Sequence, residues 1–148
     1  GIANASSTEF TKDCTPVVAL MTEWEQDGKK QIRSEKTDVG GTMRLGAYPC
    51  WLKPGSLAAK LYGNAAEIRE RHRHRYEVNM DIAKRLEEKG LQISGVSPDG
   101  LLPEIVELKD HPFYLAVQFH PEFKSRAFDA HPLFKGFIKA ALDQTTLL

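Results

Sequence analysis

An α/β fold is what these 148 residues predict, on three observations. Short stretches rich in β-branched and aromatic residues alternate with stretches whose apolar residues have helical spacing. Several strand candidates follow one another with no helix between them, which favours a mixed sheet flanked by helices over a purely parallel one. A hydrophobic content of 41% is enough for one core, and no repeat, low-complexity tract or linker divides the chain.

The elements follow in order. Residues 16–24, PVVALMTEW, and residues 42–52, TMRLGAYPCWL, read as strands, separated by a polar stretch with the turn-forming pair Asp27-Gly28. SLAAKLYG predicts a short helix with Ser56 as its N-cap and Gly63 just past its end. Asn79 caps a better helix in which Ile82, Ala83 and Leu86 share a face, and Gly90 stops it. LQISGVS, EIVEL and FYLAVQF are further strand candidates. HPLFKGFIKAAL closes the chain as a helix with Pro132 in its first turn and Phe134, Phe137, Ile138 and Ala141 expected to face the core.

Charge and cysteine content narrow the function classes. Twenty basic residues balance twenty acidic ones, so no global field favours nucleic acid or an anionic membrane, and the partners expected are small molecules or protein. No apolar run approaches the roughly 20 residues that span a bilayer. Two cysteines, Cys14 and Cys50, are too few for a disulfide scaffold, and no signal peptide is legible, so a reducing, cytoplasmic setting is expected.

VQFHPEF places His120 and Glu122 two positions apart beyond an apolar run. If the chain stays extended or turns slightly, the carboxylate reaches the imidazole, fixes its tautomer and stabilises it once protonated, while the ring takes a proton from a thiol or hydroxyl. On spacing alone, a strand-end histidine with a neighbouring acid and no catalytic purpose is the commoner outcome. Neither cysteine suits a nucleophile. Both Cys14, in KDCTP, and Cys50, in YPCWL, lack the small-residue strand-to-helix turn that activates a thiol, and G-x-C-x-G and G-x-S-x-G are absent from these residues.

The run RERHRHRYE, read as a strand, puts Arg71, Arg73 and Arg75 on one face and His72 and His74 on the other. Metal binding by the two histidines lacks a third ligand at suitable spacing, and the flanking Glu70 and Glu77 argue against nucleic acid. Glu9 has a reading as half of a capping box from Ser6, weakened by the poor helix formers after it. Gly40-Gly41 before Arg44 reads as a structural turn or as a backbone that admits a phosphate closely.

Taken together, SSTEF (residues 6–10), GGTMRLG (40–46), ERHRHRYEVN (70–79), QFHPEF (118–123) and HPLFKGF (131–137) resemble the C-terminal part of the CTP synthase family, in order and spacing over nearly the whole chain. QFHPE is shared with many class I glutamine amidotransferases, whereas ERHRHRYEVN and GGTMRLG are far more specific. The resemblance implies that residues 1–148 are the C-terminal portion of a type 1 glutamine amidotransferase domain with a Cys–His–Glu triad. His120 and Glu122 match its base and orienter, and the nucleophile is expected on a G-x-C-x-G elbow ahead of the stretch matching Asn4 to Phe10. Glu9 and Arg75, with Tyr76 beside them, match the glutamine-binding acid and arginine, and Arg44 is a candidate contributor to the response to an activating GTP. No cofactor is expected in this chain; the resemblance implies ATP and Mg2+ for the intact enzyme, with glutamine as substrate, a synthetase domain in the same protein and a tetrameric assembly. The chain alone is expected to be inactive. Alternatives are another class I amidotransferase or γ-glutamyl hydrolase, and a non-catalytic regulatory domain that keeps the fold.

Overall fold

The structure is a computed structural model that describes residues 1–20, 25–26, 29–30 and 43–145. The Asp27-Gly28 turn, Gly40-Gly41 and the end of the first predicted strand lie outside the described residues. Strands β1 (Ala5–Ser7), β2 (Thr15–Leu20), β3 (Glu25–Gln26), β4 (Lys29–Lys30) and β5 (Arg44–Leu52) precede helix α1 (Leu57–Leu61). Then come β6 (Glu67–His74), β7 (Tyr76–Val78), α2 (Met80–Glu87), β8 (Leu91–Val96), β9 (Pro103–Leu108), β10 (Leu115–Val117), a 3-10 turn (Pro121–Phe123) and α3 (Pro132–Thr145).

The class is α/β as expected, with the strands divided among sheets. A mixed three-stranded sheet has the order β1-β2-β7, with β1 parallel and β7 antiparallel to β2. An antiparallel sheet has the order β10-β9-β8-β5-β6, and β3 pairs with β4. β6 runs directly into β7 through Arg75, so one continuous stretch of sequence joins the two larger sheets.

Capping sets the helix starts where the sequence predicts them. Ser56 Oγ accepts from Ala59 N at 3.0 Å, and Asn79 Oδ1 accepts from Asp81 N at 2.8 Å. Gly90, with φ +99°, takes the left-handed conformation after α2. One cap was not legible: the Glu107 carboxylate of β9 accepts from Leu57 N at 3.0 Å and Ala58 N at 3.1 Å, tying α1 to the sheet.

The core lies between the five-stranded sheet and helices α1 and α3, built from Cys50, Leu52, Ala58, Ala59, Ile68, Ile105, Phe119 and Leu133. Gly95 is required at its centre, because a Cβ there would lie 2.7 Å from Ile105 Cγ1 and 2.8 Å from Cys50 Sγ. Helix α3 departs from expectation. Its buried residue is Leu133, while Phe137 and Ile138 are 55% and 56% exposed, and Phe134 and Ala141 also face outward. The reason is close helix approach. A Cβ on Gly136 would collide with the Leu61 side chain, so α3 turns its small-residue side toward α1 and leaves its larger apolar side uncovered.

Candidate functional site

The site is organised around β6, whose side chains alternate strictly. Ile68, Glu70 and His72 point inward, and Arg69, Arg71 and Arg73 point to solvent. The five-stranded sheet curls enough for the chain beyond β10 to reach the far edge of β6, where His120 N donates to Arg71 O at 2.8 Å. His120 is therefore held to β6 by a backbone hydrogen bond, with its side chain partly exposed.

The pairing with Glu122 arises by a turn, not an extended dipeptide. Pro121 starts the 3-10 turn, Phe123 N donates to His120 O at 3.2 Å, and Glu122 Oε1 comes to 2.7 Å from His120 Nδ1. A carboxylate only accepts, so Nδ1 carries the hydrogen and Nε2 of the neutral ring keeps its lone pair. The hydrogen bond from His120 holds the Glu122 carboxyl below the usual carboxylate range. Phe123 stacks on the imidazole with centroids 5.2 Å apart, and the Arg73 guanidinium lies over Phe123 at 5.6 Å.

The turn is anchored by residues that sequence reasoning did not single out for it. Lys124 Nζ donates to Arg69 O at 2.7 Å and to Glu70 Oε1 at 3.1 Å. The same carboxylate oxygen accepts from His131 Nε2 and from Tyr62 Oη, both at 3.1 Å. Burial works against the charge on Glu70, yet the bonds from His131 and Lys124 hold its carboxyl below the ordinary value. The inward phase of Glu70 on an alternating strand was the available signal, since a buried carboxylate needs partners.

Arg75 occupies the exposed bend between β6 and β7, and Tyr76 opens β7 opposite Leu20 of β2. Glu9 follows β1 in a turn, with Glu9 N donating to Ser7 Oγ at 3.2 Å, and no helix continues from Ser6. β1 and β2 are parallel and β7 antiparallel, so the residue after β1 and the start of β7 lie toward the same end of the three-stranded sheet. Among the described residues, the Glu9 carboxylate and the Arg75 guanidinium make no hydrogen bond or ion pair with one another or with His120 and Glu122.

Arg44, the candidate contributor to an effector response, lies inside the fold. It is 5% exposed, with Nη1 at 2.8 Å from Glu104 Oε1 and 3.3 Å from Glu77 Oε1, and its guanidinium over Tyr48 at 4.7 Å. Its guanidinium is thus paired inside the fold with two buried carboxylates. Burial, with Glu104 adding to it against Arg44, pushes the Glu77 carboxyl up to about 7. A raised acid binds its proton more tightly in the folded state. The stability it contributes is therefore present below pH 4.5 and is lost as pH rises through about 7. Glu77→Gln should flatten that part of the profile, which thermal unfolding at a series of pH values reads directly.

The two cysteines have different settings. Burial, then Glu104, pushes the Cys50 thiol up to about 12, and Cys14 Sγ lies 3.3 Å from Thr11 O. His72 and His74 bond to each other at 2.8 Å, and among the described residues no group of three or more His, Cys, Asp or Glu is arranged to hold a metal ion. No described helix is long and apolar enough to cross a membrane.

The family "Glutamine amidotransferase class-I" matches residues 16–140. CTP synthases of Rhodopseudomonas palustris (strain BisB5) and Zymomonas mobilis (strain ZM4) are 59% and 58% identical over all 148 residues, which correspond to 27% of each relative. The chain thus spans about a quarter of the length of these curated relatives. A solved structure of the Trypanosoma brucei CTPS glutaminase domain with bound acivicin superposes with a TM-score of 0.79 at 37% identity, covering 97% of this chain and 52% of that one. With its sequence similar to CTP synthases along its full length, this chain belongs to the class I glutamine amidotransferase family.

Proposed function

We propose that this chain supplies the general base, its orienting carboxylate and the glutamine-recognition residues to the glutaminase half of a CTP synthase. The observation that carries the reading is the 2.7 Å bond from His120 Nδ1 to Glu122 Oε1, which leaves Nε2 free to accept a proton. His120 takes the thiol proton of a cysteine outside residues 1–148, and the thiolate attacks the side-chain amide carbon of glutamine. The carbon–nitrogen bond breaks as His120 returns the proton to the leaving ammonia, forming a thioester that water, deprotonated by the same nitrogen, converts to glutamate. Glu122 stabilises the imidazolium at each transfer. Glutamine is a zwitterion: the Arg75 fork suits its carboxylate and Glu9 suits its ammonium, with Tyr76 next to Arg75 in the chain. The ammonia serves a synthetase half that aminates ATP-activated UTP to CTP, with ATP and Mg2+ bound there and GTP as activator.

The test is covalent labelling of the intact protein with an electrophilic glutamine analogue, mapped by mass spectrometry. A glutamine-protectable adduct is expected on a cysteine outside residues 1–148, with Cys14 and Cys50 unmodified and no ammonia release by the 148-residue chain alone. A protectable adduct on Cys14 or Cys50 would place the nucleophile inside the chain and overturn the reading.

A further inference from the structure

Arg75 and Tyr76 sit where β6 passes into β7, and the contacts that hold this bend come from behind it. A carbonyl oxygen only accepts, so the 3.0 Å contact between His74 Nδ1 and Tyr76 O places a hydrogen on Nδ1. A neutral imidazole has one N–H. His74 Nε2 must therefore accept, and the 2.8 Å contact with His72 Nδ1 is donated by His72. His72 is itself held edge-on by Tyr48 at 5.5 Å and Phe119 at 6.0 Å, and its Nε2, which makes no hydrogen bond, stands 3.8 Å from Glu104 Oε2.

This direction of donation requires the His74 ring to be neutral. Burial and then the Arg44 charge lower His72 to about 2 and His74 to about 4, so neither carries a proton charge at neutral pH. The charged groups around the pair are Arg44, Glu77 and Glu104, with Glu77 Oε1 at 3.6 Å from His74 Nδ1. Arg44 of β5 balances two carboxylates, Glu77 of β7 and Glu104 of β9, and the two imidazoles run from that buried charge cluster to the backbone of the bend.

We propose that His74 is a positioning residue for glutamine recognition: its Nδ1–H fixes the Tyr76 carbonyl, and hence the Arg75 bend, while His72 fixes the orientation of the His74 ring. The H-x-H pair thus serves substrate geometry through hydrogen bonds. This inference rests on Arg75 and Tyr76 binding glutamine, as proposed above.

The experiment compares His74→Leu and His74→Asn in the intact enzyme, reading KM for glutamine, kcat and ammonia-dependent CTP formation. Leucine removes the donor, whereas the asparagine amide can present an N–H to the same carbonyl. His74→Leu should raise KM for glutamine roughly tenfold, with kcat and ammonia-dependent synthesis changed by less than about twofold. His74→Asn should return KM to within about threefold of the unaltered enzyme. An unchanged KM in the leucine variant, or equal impairment of both variants, overturns the proposal when Arg75→Ala raises KM. An unchanged KM in Arg75→Ala instead removes the underlying glutamine-site reading, and this inference with it. Should His74→Leu fail to fold, His72→Leu against His72→Asn reads the same device one step further back: rescue by asparagine supports it, and no rescue overturns it.

Discussion

Glutamine-dependent CTP formation by the intact enzyme should fall roughly 10⁴-fold or more in His120→Ala, while synthesis from added ammonia is retained. The size of the effect follows from the chemistry. In the proposed mechanism Nε2 is both the acceptor for the thiol proton and the donor to the leaving ammonia, so its loss would remove both steps. Glu122→Gln should leave more activity, because the amide oxygen can still accept from Nδ1–H at the 2.7 Å contact although it cannot stabilise the imidazolium. The two losses should not add, since Glu122 acts only through the ring that the first substitution removes. Steady-state assays with glutamine and with ammonia, run on the same preparations, make the comparison. Full glutamine-dependent activity in His120→Ala would exclude the histidine from the mechanism.

The second large effect is expected at Arg75. Its side chain is exposed at the bend with no ion pair among the described residues, so it is free to meet a ligand carboxylate with both forks of its guanidinium. Arg75→Ala should cost about 2–4 kcal/mol in kcat/KM for glutamine and leave ammonia-dependent synthesis intact. Arg75→Lys should recover only part of that loss, because an ammonium is a point charge without the planar fork. Equal loss of both activities in the alanine variant would mark Arg75 as a structural residue.

The neighbouring arginines show why position in the strand matters more than residue type. Arg71 and Arg73 face solvent from β6, and Arg73 stacks over Phe123 of the His120 turn. Arg44 is chemically identical, yet it lies buried between Glu77 and Glu104. Nothing in GGTMRLG distinguishes a phosphate-facing arginine from an internal cation, because the distinction depends on two carboxylates that lie far away in the sequence, on β7 and β9. The same holds for Glu70, whose partners Tyr62, Lys124 and His131 come from three separate segments.

Local chemistry determined a good part of this protein from the sequence alone. The caps at Ser56 and Asn79, the stop at Gly90, the alternation of β6 and the proximity of Glu122 to His120 all depend on residues within a few positions of one another, where short-range geometry leaves few choices. Tertiary structure decided the rest. It set the rotation of α3, since the approach of Gly136 to Leu61 outweighs the apolar pattern of Phe134, Phe137 and Ile138. It divided the strands between sheets, and it chose the partners of Arg44 and Glu70. Those outcomes follow from long-range packing and from the need to pair every buried charge, and neither is encoded within a single segment of the chain.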